Sequence, residues 1–286
     1  MLTNPIELAI HQQLNKLTTK SELLSKKVVK GIVKDVETAL IKQFATKRDK
    51  AFRLRMSNMG KPYCQLWFEK NKPELALPPS SNFIINMLIG DIIEAVFKGL
   101  LRQANVEYKD GEQITLDLGD GETINGTPDI FFGDAVDDIK SASPWSYINK
   151  FKDFNSLAEK DSFGYIAQLV GYAKATNTKP NGWWVVNKGN GDFKHVKATN
   201  INSKQVLAKI KFTYKELKEN KFRRCFTDEE ETYRKKPSGN RRLKQECSWC
   251  SFRHACWPGL QERPSLVSKA EQPPMVSYTE INSVQR

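Results

Sequence analysis

Apolar residues recur at spacings of three and four through Val28, Val29, Ile32, Val33, Val36, Leu40, Ile41 and Phe44, opposite a lysine-rich face. That period predicts amphipathic helix over residues 1 to about 50, the body of an N-terminal helical region bounded at 55. A Pro- and Ser-rich loop follows at 71–82, where Asn82 stands ready to cap a helix over 83–102. That helix is apolar on nearly every side and is expected to be buried. Short apolar runs then predict strands at 112–118, 122–132 and 135–141, helices at 145–152 and 161–176, and a strand pair at 183–186 and 193–197. A helix at 203–219 leads to a basic loop, a cysteine-rich stretch and a tail over 263–286 expected to be mobile. No segment repeats, and no Gly-x-x-x-x-Gly-Lys-Ser/Thr phosphate loop occurs.

The pattern is most informative between Gly126 and Lys140, which reads Gly-Thr-Pro-Asp-Ile-Phe-Phe-Gly-Asp-Ala-Val-Asp-Asp-Ile-Lys. If Gly133 and Asp134 are the two loop residues of a hairpin, Phe132 faces Ala135, and counting outward pairs Asp129 with Asp138. Their β-carbons would then lie about 4.5 to 5.5 Å apart on one face. Two opposed carboxylates repel, and a divalent cation between them is the simplest compensation. Lys140, two residues beyond Asp138, points to the same face. The competing reading is a solvated edge hairpin, with Asp134 and Asp137 serving the turn and the outer surface. Phe131, Phe132, Val136 and Ile139 make the ribbon too apolar to favour it.

Composition narrows the class. A chain of 286 residues with 39% hydrophobic content can bury one large core or two modest ones. It lacks an 18-residue apolar run and a signal-peptide pattern, so a soluble, cytoplasmic protein in a bacterium or a phage-infected host is expected, with thiols rather than disulfides. Forty-five Lys and Arg against thirty-three Asp and Glu leave a charge of +12, which favours a polyanion such as DNA as partner and no membrane. Nine of those cations and four acids fall between Lys221 and Lys244, in the clusters Arg223-Arg224, Arg234-Lys235-Lys236 and Arg241-Arg242. Such clusters release counterions from a phosphate backbone, or else they only keep a loop soluble.

Three further constellations carry chemistry. Glu94 is a conspicuous acid within the apolar helix, a candidate metal ligand or a residue paired with a nearby lysine. Gln168 and Tyr172 lie four apart on one helix face, with Tyr165 on the same stripe. Cys247-x2-Cys250-x5-Cys256 points to a bound metal, for which zinc with Cys225 or His254 as alternative ligands is one solution. Trp249 and Trp257 are expected to shield it, and Cys225 otherwise reads as an ordinary thiol.

The order acid-bearing helix, Gly-Thr-Pro-Asp129, Asp138-Ile-Lys140, Gln168-Leu-Val-Gly-Tyr172 resembles the PD-(D/E)xK nuclease superfamily, specifically its RecB-like branch, over residues 83–190. The resemblance implies an α/β nuclease core, a mixed central sheet flanked by helices, within a domain spanning 56–262. It implies Asp129, Asp138, Lys140, Glu94, Gln168 and Tyr172 as catalytic residues, and Glu94, Asp129, Asp138 and Ile139 as the magnesium or manganese set. Many relatives carry His where this chain has Glu94. Cys64, upstream of the core, completes the pattern of the iron-sulfur members, which include AddB-type helicase-nucleases and CRISPR-associated exonucleases. By that resemblance Cys64, Cys247, Cys250 and Cys256 hold a 4Fe-4S cluster in a C-terminal four-cysteine segment, with zinc as the alternative. The expected activity is a DNA exonuclease acting on linear ends, single or double stranded, alongside recombination, repair or replication proteins. A catalytically idle or zinc-stabilised nucleic-acid-binding protein of similar fold is the other reading.

Overall fold

The computed structural model describes residues 4–47, 51–234 and 236–282. In chain order its elements are α1 (Pro5–Thr18), α2 (Lys26–Leu40), α3 (Tyr63–Asn71), α4 (Phe83–Gln103), β1 (Lys109–Asp110), β2 (Ile114–Gly119), β3 (Glu122–Gly126), β4 (Ile130–Phe132) and β5 (Ala135–Ala142). There follow α5 (Phe154–Glu159), α6 (Tyr165–Thr176), β6 (Lys179–Asn187), β7 (Phe193–Lys197), α7 (Ser203–Glu219), β8 (Asp228–Tyr233) and β9 (Lys236–Leu243). The last are α8 (Gln245–Ser248), α9 (Arg253–Cys256), β10 (Gln261–Pro264) and β11 (Met275–Glu280). The chain forms two compact units, residues 1–50, 54–60 and 80–211, and residues 51–53, 61–79 and 212–286. No helix among the described residues is long and apolar enough to cross a membrane.

The first unit is built on a five-stranded sheet in the order β1-β4-β5-β6-β7. Only β5 and β6 are parallel, and parallel neighbours need a crossover, here through α5 and α6. This is a mixed central sheet flanked by helices, the architecture that the resemblance implies. Ile130, Ile139, Trp184 and Phe193 bury one face against Phe97 and Leu101 of α4 and Ile10 of α1. Trp183 alternates to the other side, fully buried, with Phe154 of α5 stacked on it.

The β4–β5 hairpin has the anticipated register, with Phe132 opposite Ala135, Phe131 opposite Val136 and Ile130 opposite Asp137. Gly133 has φ +60°, the conformation a two-residue loop demands of its first residue and one that glycine adopts without strain. Strand 122–132 is in fact two pieces. β3 pairs with β2 in a separate ribbon, and Pro128 stands between it and β4.

Several expectations are corrected. The N-terminal helix is two helices followed by a π-helical turn at Ile41–Ala45. Asn82 occupies the N-cap position of α4 as expected, but its side chain accepts a hydrogen bond from Ser80 rather than from a helix amide. α4 is buried only toward its C-terminal end, through Ala95, Phe97, Gly99 and Leu101, whereas Phe83, Ile85 and Met87 are exposed.

The second unit contains an antiparallel sheet in the order β10-β11-β9-β8. The basic loop is thus a hairpin, β8–β9, in which the acidic strand Asp-Glu-Glu-Glu faces Arg241 and Arg242. Cross-strand charge pairs substitute for the missing apolar alternation. The tail carries the end of β10 and the whole of β11. β11 lies between β9 and β10, and Tyr278 is fully buried, its hydroxyl donating to Glu231 at 2.8 Å.

Candidate active site and cysteine cavity

Asp129 immediately precedes β4, and its Oδ2 accepts the Ile139 amide of β5 at 2.7 Å. Asp138 is fully buried on the same strand face as Asp129, and Lys140 forms an ion pair with its Oδ2. That ammonium is the donor facing the Asp138 carboxylate, and Asp129 lies beside it. Burial, followed by the charge of Asp138, pushes the Asp129 carboxyl up to about 7, against the pull of Lys140 and the Ile139 amide. Burial opposes the Lys140 charge, but Asp138 and Asp129 outweigh it and hold the ammonium above the ordinary lysine range.

Glu94 comes near this group without joining it. Burial and then Asp129 raise its pKa, with Lys98 and Lys140 acting in opposition, and its carboxylate is held by Lys98 at 2.8 Å. Lys98 also reaches Asp110 at 3.0 Å. No three His, Cys, Asp or Glu side chains among the described residues form a group arranged to hold a metal ion. Ile139 contributes its amide to Asp129 and its side chain to the core. Two acids and a lysine therefore meet, with Glu94 turned along its own helix. Two adjacent carboxylates are the donor type that suits a hard divalent cation, and burial, then the charge of Asp138, drives Asp129 toward protonation.

α6 supplies the opposing wall. Gln168 Nε2 donates to the Tyr172 hydroxyl at 2.9 Å, and both residues are buried. Burial and then Asp138 raise the Tyr172 pKa. Lys140 Nζ stands 5.4 Å from the centroid of the Tyr165 ring. Gly126 explains why its motif needs glycine, because a β-carbon there would lie 2.8 Å from the Tyr172 ring and 2.7 Å from Met56 Cβ.

Asp137 is the residue that pattern reasoning misplaced. Rather than serving the outer surface, it is fully buried, receiving Asn181 Nδ2 at 3.0 and 2.8 Å and contacting His195 Nε2 at 2.7 Å. The signal was available, since adjacent acids on a strand covered on both faces must each be buried.

In the second unit Cys64, Cys247, Cys250 and Cys256 line one cavity with Phe68 and Trp257. Burial raises the thiols of Cys247, to about 12, and of Cys250 and Cys256. Cys225 is not in the lining. Its sulfur accepts the Cys64 amide at 3.1 Å, and hydrogen bonding from the Cys64 thiol draws its pKa down to about 6. His254 turns to Glu262 at 3.6 Å. Trp249 does not shield the cavity, being 81% exposed. The four thiols share this cavity and are of the residue type that a four-thiolate group uses, but they are not drawn together into a metal-holding cluster among the described residues.

The candidate DNA-binding cations are largely engaged. Arg223 pairs with Glu216 at 2.7 Å, Arg241 with Asp228 and Arg242 with Glu229 at 2.9 Å. Arg224 donates to the Cys256 carbonyl at 2.7 Å and lies over the Trp257 ring. Arg234 rests on Tyr233 at the hairpin turn, Lys236 is exposed, and Lys235 lies outside the described residues.

No family model matches this chain. No curated protein matches it either. Among solved structures it is similar to the crystal structure of SSO0001, at 13% identity and a TM-score of 0.41, over 80% of this chain and 96% of that one.

Proposed function

We propose that this protein is a metal-dependent DNA exonuclease of the PD-(D/E)xK type, serving recombination, repair or replication. The observation that carries the reading is Asp129 beside the fully buried Asp138, with Lys140 paired to Asp138 on the same face. Asp129 and Asp138 would hold the cation, and Glu94 would join them on leaving Lys98. A magnesium or manganese ion there supplies Lewis acidity toward phosphate and water. Asp138 keeps Lys140 charged, so its ammonium can orient a nucleophile and favour negative charge on a phosphate. Tyr165 and the Gln168–Tyr172 pair line the same face and limit its access to water.

The cysteine cavity is read as the seat of an iron-sulfur cluster, with zinc as its alternative. Bound by Cys64 of α3 and by Cys247, Cys250 and Cys256, either group would tie α3 to the C-terminal segment of the second unit. The hold of Lys98 on Glu94 favours one alternative, a nucleic-acid-binding protein of this architecture without turnover.

The test is incubation of linear and closed circular DNA with magnesium or manganese, alongside Lys140→Ala. Degradation of linear DNA by the wild type, reduced at least ~100-fold in the variant, is expected. Loss of neither substrate removes the nuclease reading, and cleavage of the circle replaces exonuclease with endonuclease.

A further inference from the structure

Lys150 ends the π-helical turn Ser146–Lys150 that follows β5, and it is only 6% exposed. Its ammonium stands 4.5 Å from the centroid of Tyr165, 4.8 Å from that of Phe163 and 5.9 Å from that of Phe151. Among the described residues it has no hydrogen bond or ion pair. Burial pushes it below the ordinary lysine range, with Asp161 opposing at longer range. Asp161 is already occupied at the start of α6, accepting the Tyr165 and Ile166 amides at 2.8 and 2.9 Å. By contrast Lys194, also partly buried, donates to the Tyr147 carbonyl at 3.0 Å.

A buried ammonium without an anion is costly, and aromatic faces offset only part of that cost. Lys150 therefore sits in a place that an incoming anion would stabilise. The same Tyr165 ring carries Lys140, so one aromatic side chain is shared by the proposed catalytic lysine and this second cation. Phe163 stacks on Tyr165 with centroids 5.7 Å apart and planes 18° from parallel, yet it is 56% exposed. Two cations beside an exposed, supported aromatic ring match a strand that offers a phosphate at each nucleotide and an unpaired base face. A duplex has its base faces covered.

We propose that Lys150 binds the phosphate next to the scissile one and that the attached base stacks on Phe163, so that the site takes a single-stranded DNA segment. This rests on the nuclease reading above. The test is the anisotropy of a labelled oligothymidylate titrated with full-length protein at several salt concentrations, with calcium replacing magnesium. Lys150→Met is expected to weaken binding about tenfold at low salt and to lower the slope of log affinity against log salt by about 0.7, while Lys150→Arg retains the slope. Phe163→Ala is expected to weaken single-strand binding about tenfold and to leave duplex binding unchanged. A lysine that only supports the fold would lower the melting temperature of Lys150→Met and leave the slope intact. That result, in a wild type that binds and degrades DNA, overturns this inference alone, as does equal affinity for single strands and blunt duplex. A wild type that neither binds nor degrades DNA overturns the nuclease reading with it.

Discussion

Asp129 links the proposed chemistry to pH. Its folded pKa of about 7 lies above the ordinary 3.8, so the metal-free fold retains a proton that the unfolded chain releases. The stability this proton confers is fully present below about pH 4 and is lost as pH rises through about 7. In a chelator the melting temperature should therefore fall as pH rises from about 4 through about 7, and manganese should restore more of it at the higher pH. A melting temperature that ignores both pH and manganese would detach Asp129 from any cation. Glu231 makes a second case at this scale. It is 1% exposed and accepts hydrogen bonds from Asn240 at 3.0 Å, Ser265 at 3.1 Å and Tyr278 at 2.8 Å. Glu231→Leu strands those donors, each unsatisfied group costing about 1–3 kcal/mol, so urea denaturation should show a loss of at least about 3 kcal/mol.

At the scale of elements, the β4–β5 hairpin was legible because a period of two and a Gly-Asp turn determine which side chains share a face. Gly126 belongs to the same logic but needs the structure to explain it. Gly126→Ala drives a methyl into Met56 and the Tyr172 ring and should cost about 1–3 kcal/mol, with cleavage falling in the same variant. Unchanged melting and activity would show that Tyr172 can retreat without consequence. The β8–β9 hairpin was not legible, because its strands are held by Arg241–Asp228 and Arg242–Glu229 rather than by apolar alternation. β11 was hidden for a related reason. Its anchor, Tyr278, is satisfied by a glutamate 47 residues earlier, a partnership no local window contains. The burial of Asp137 by Asn181 and His195 is non-local in the same way.

At the scale of the whole molecule, the net charge of +12 is what remains after every acid is subtracted, but it is not carried by Arg223, Arg241 and Arg242, which have carboxylate partners. The lysines beside the two acids then matter more than the basic cluster the composition emphasises. The cysteines make a separate prediction. Anaerobically purified protein should show a visible absorbance band that Cys247→Ala abolishes, whereas colourless protein with stoichiometric zinc would replace the cluster with zinc. The most direct test of the central claim is the release of nucleotides from end-labelled linear DNA with manganese, by wild type and Asp138→Asn purified from a nuclease-deficient host. The account predicts release by the wild type, abolished by chelator and reduced at least ~100-fold by the substitution. Equal release by both proteins, or none by the wild type, would contradict it.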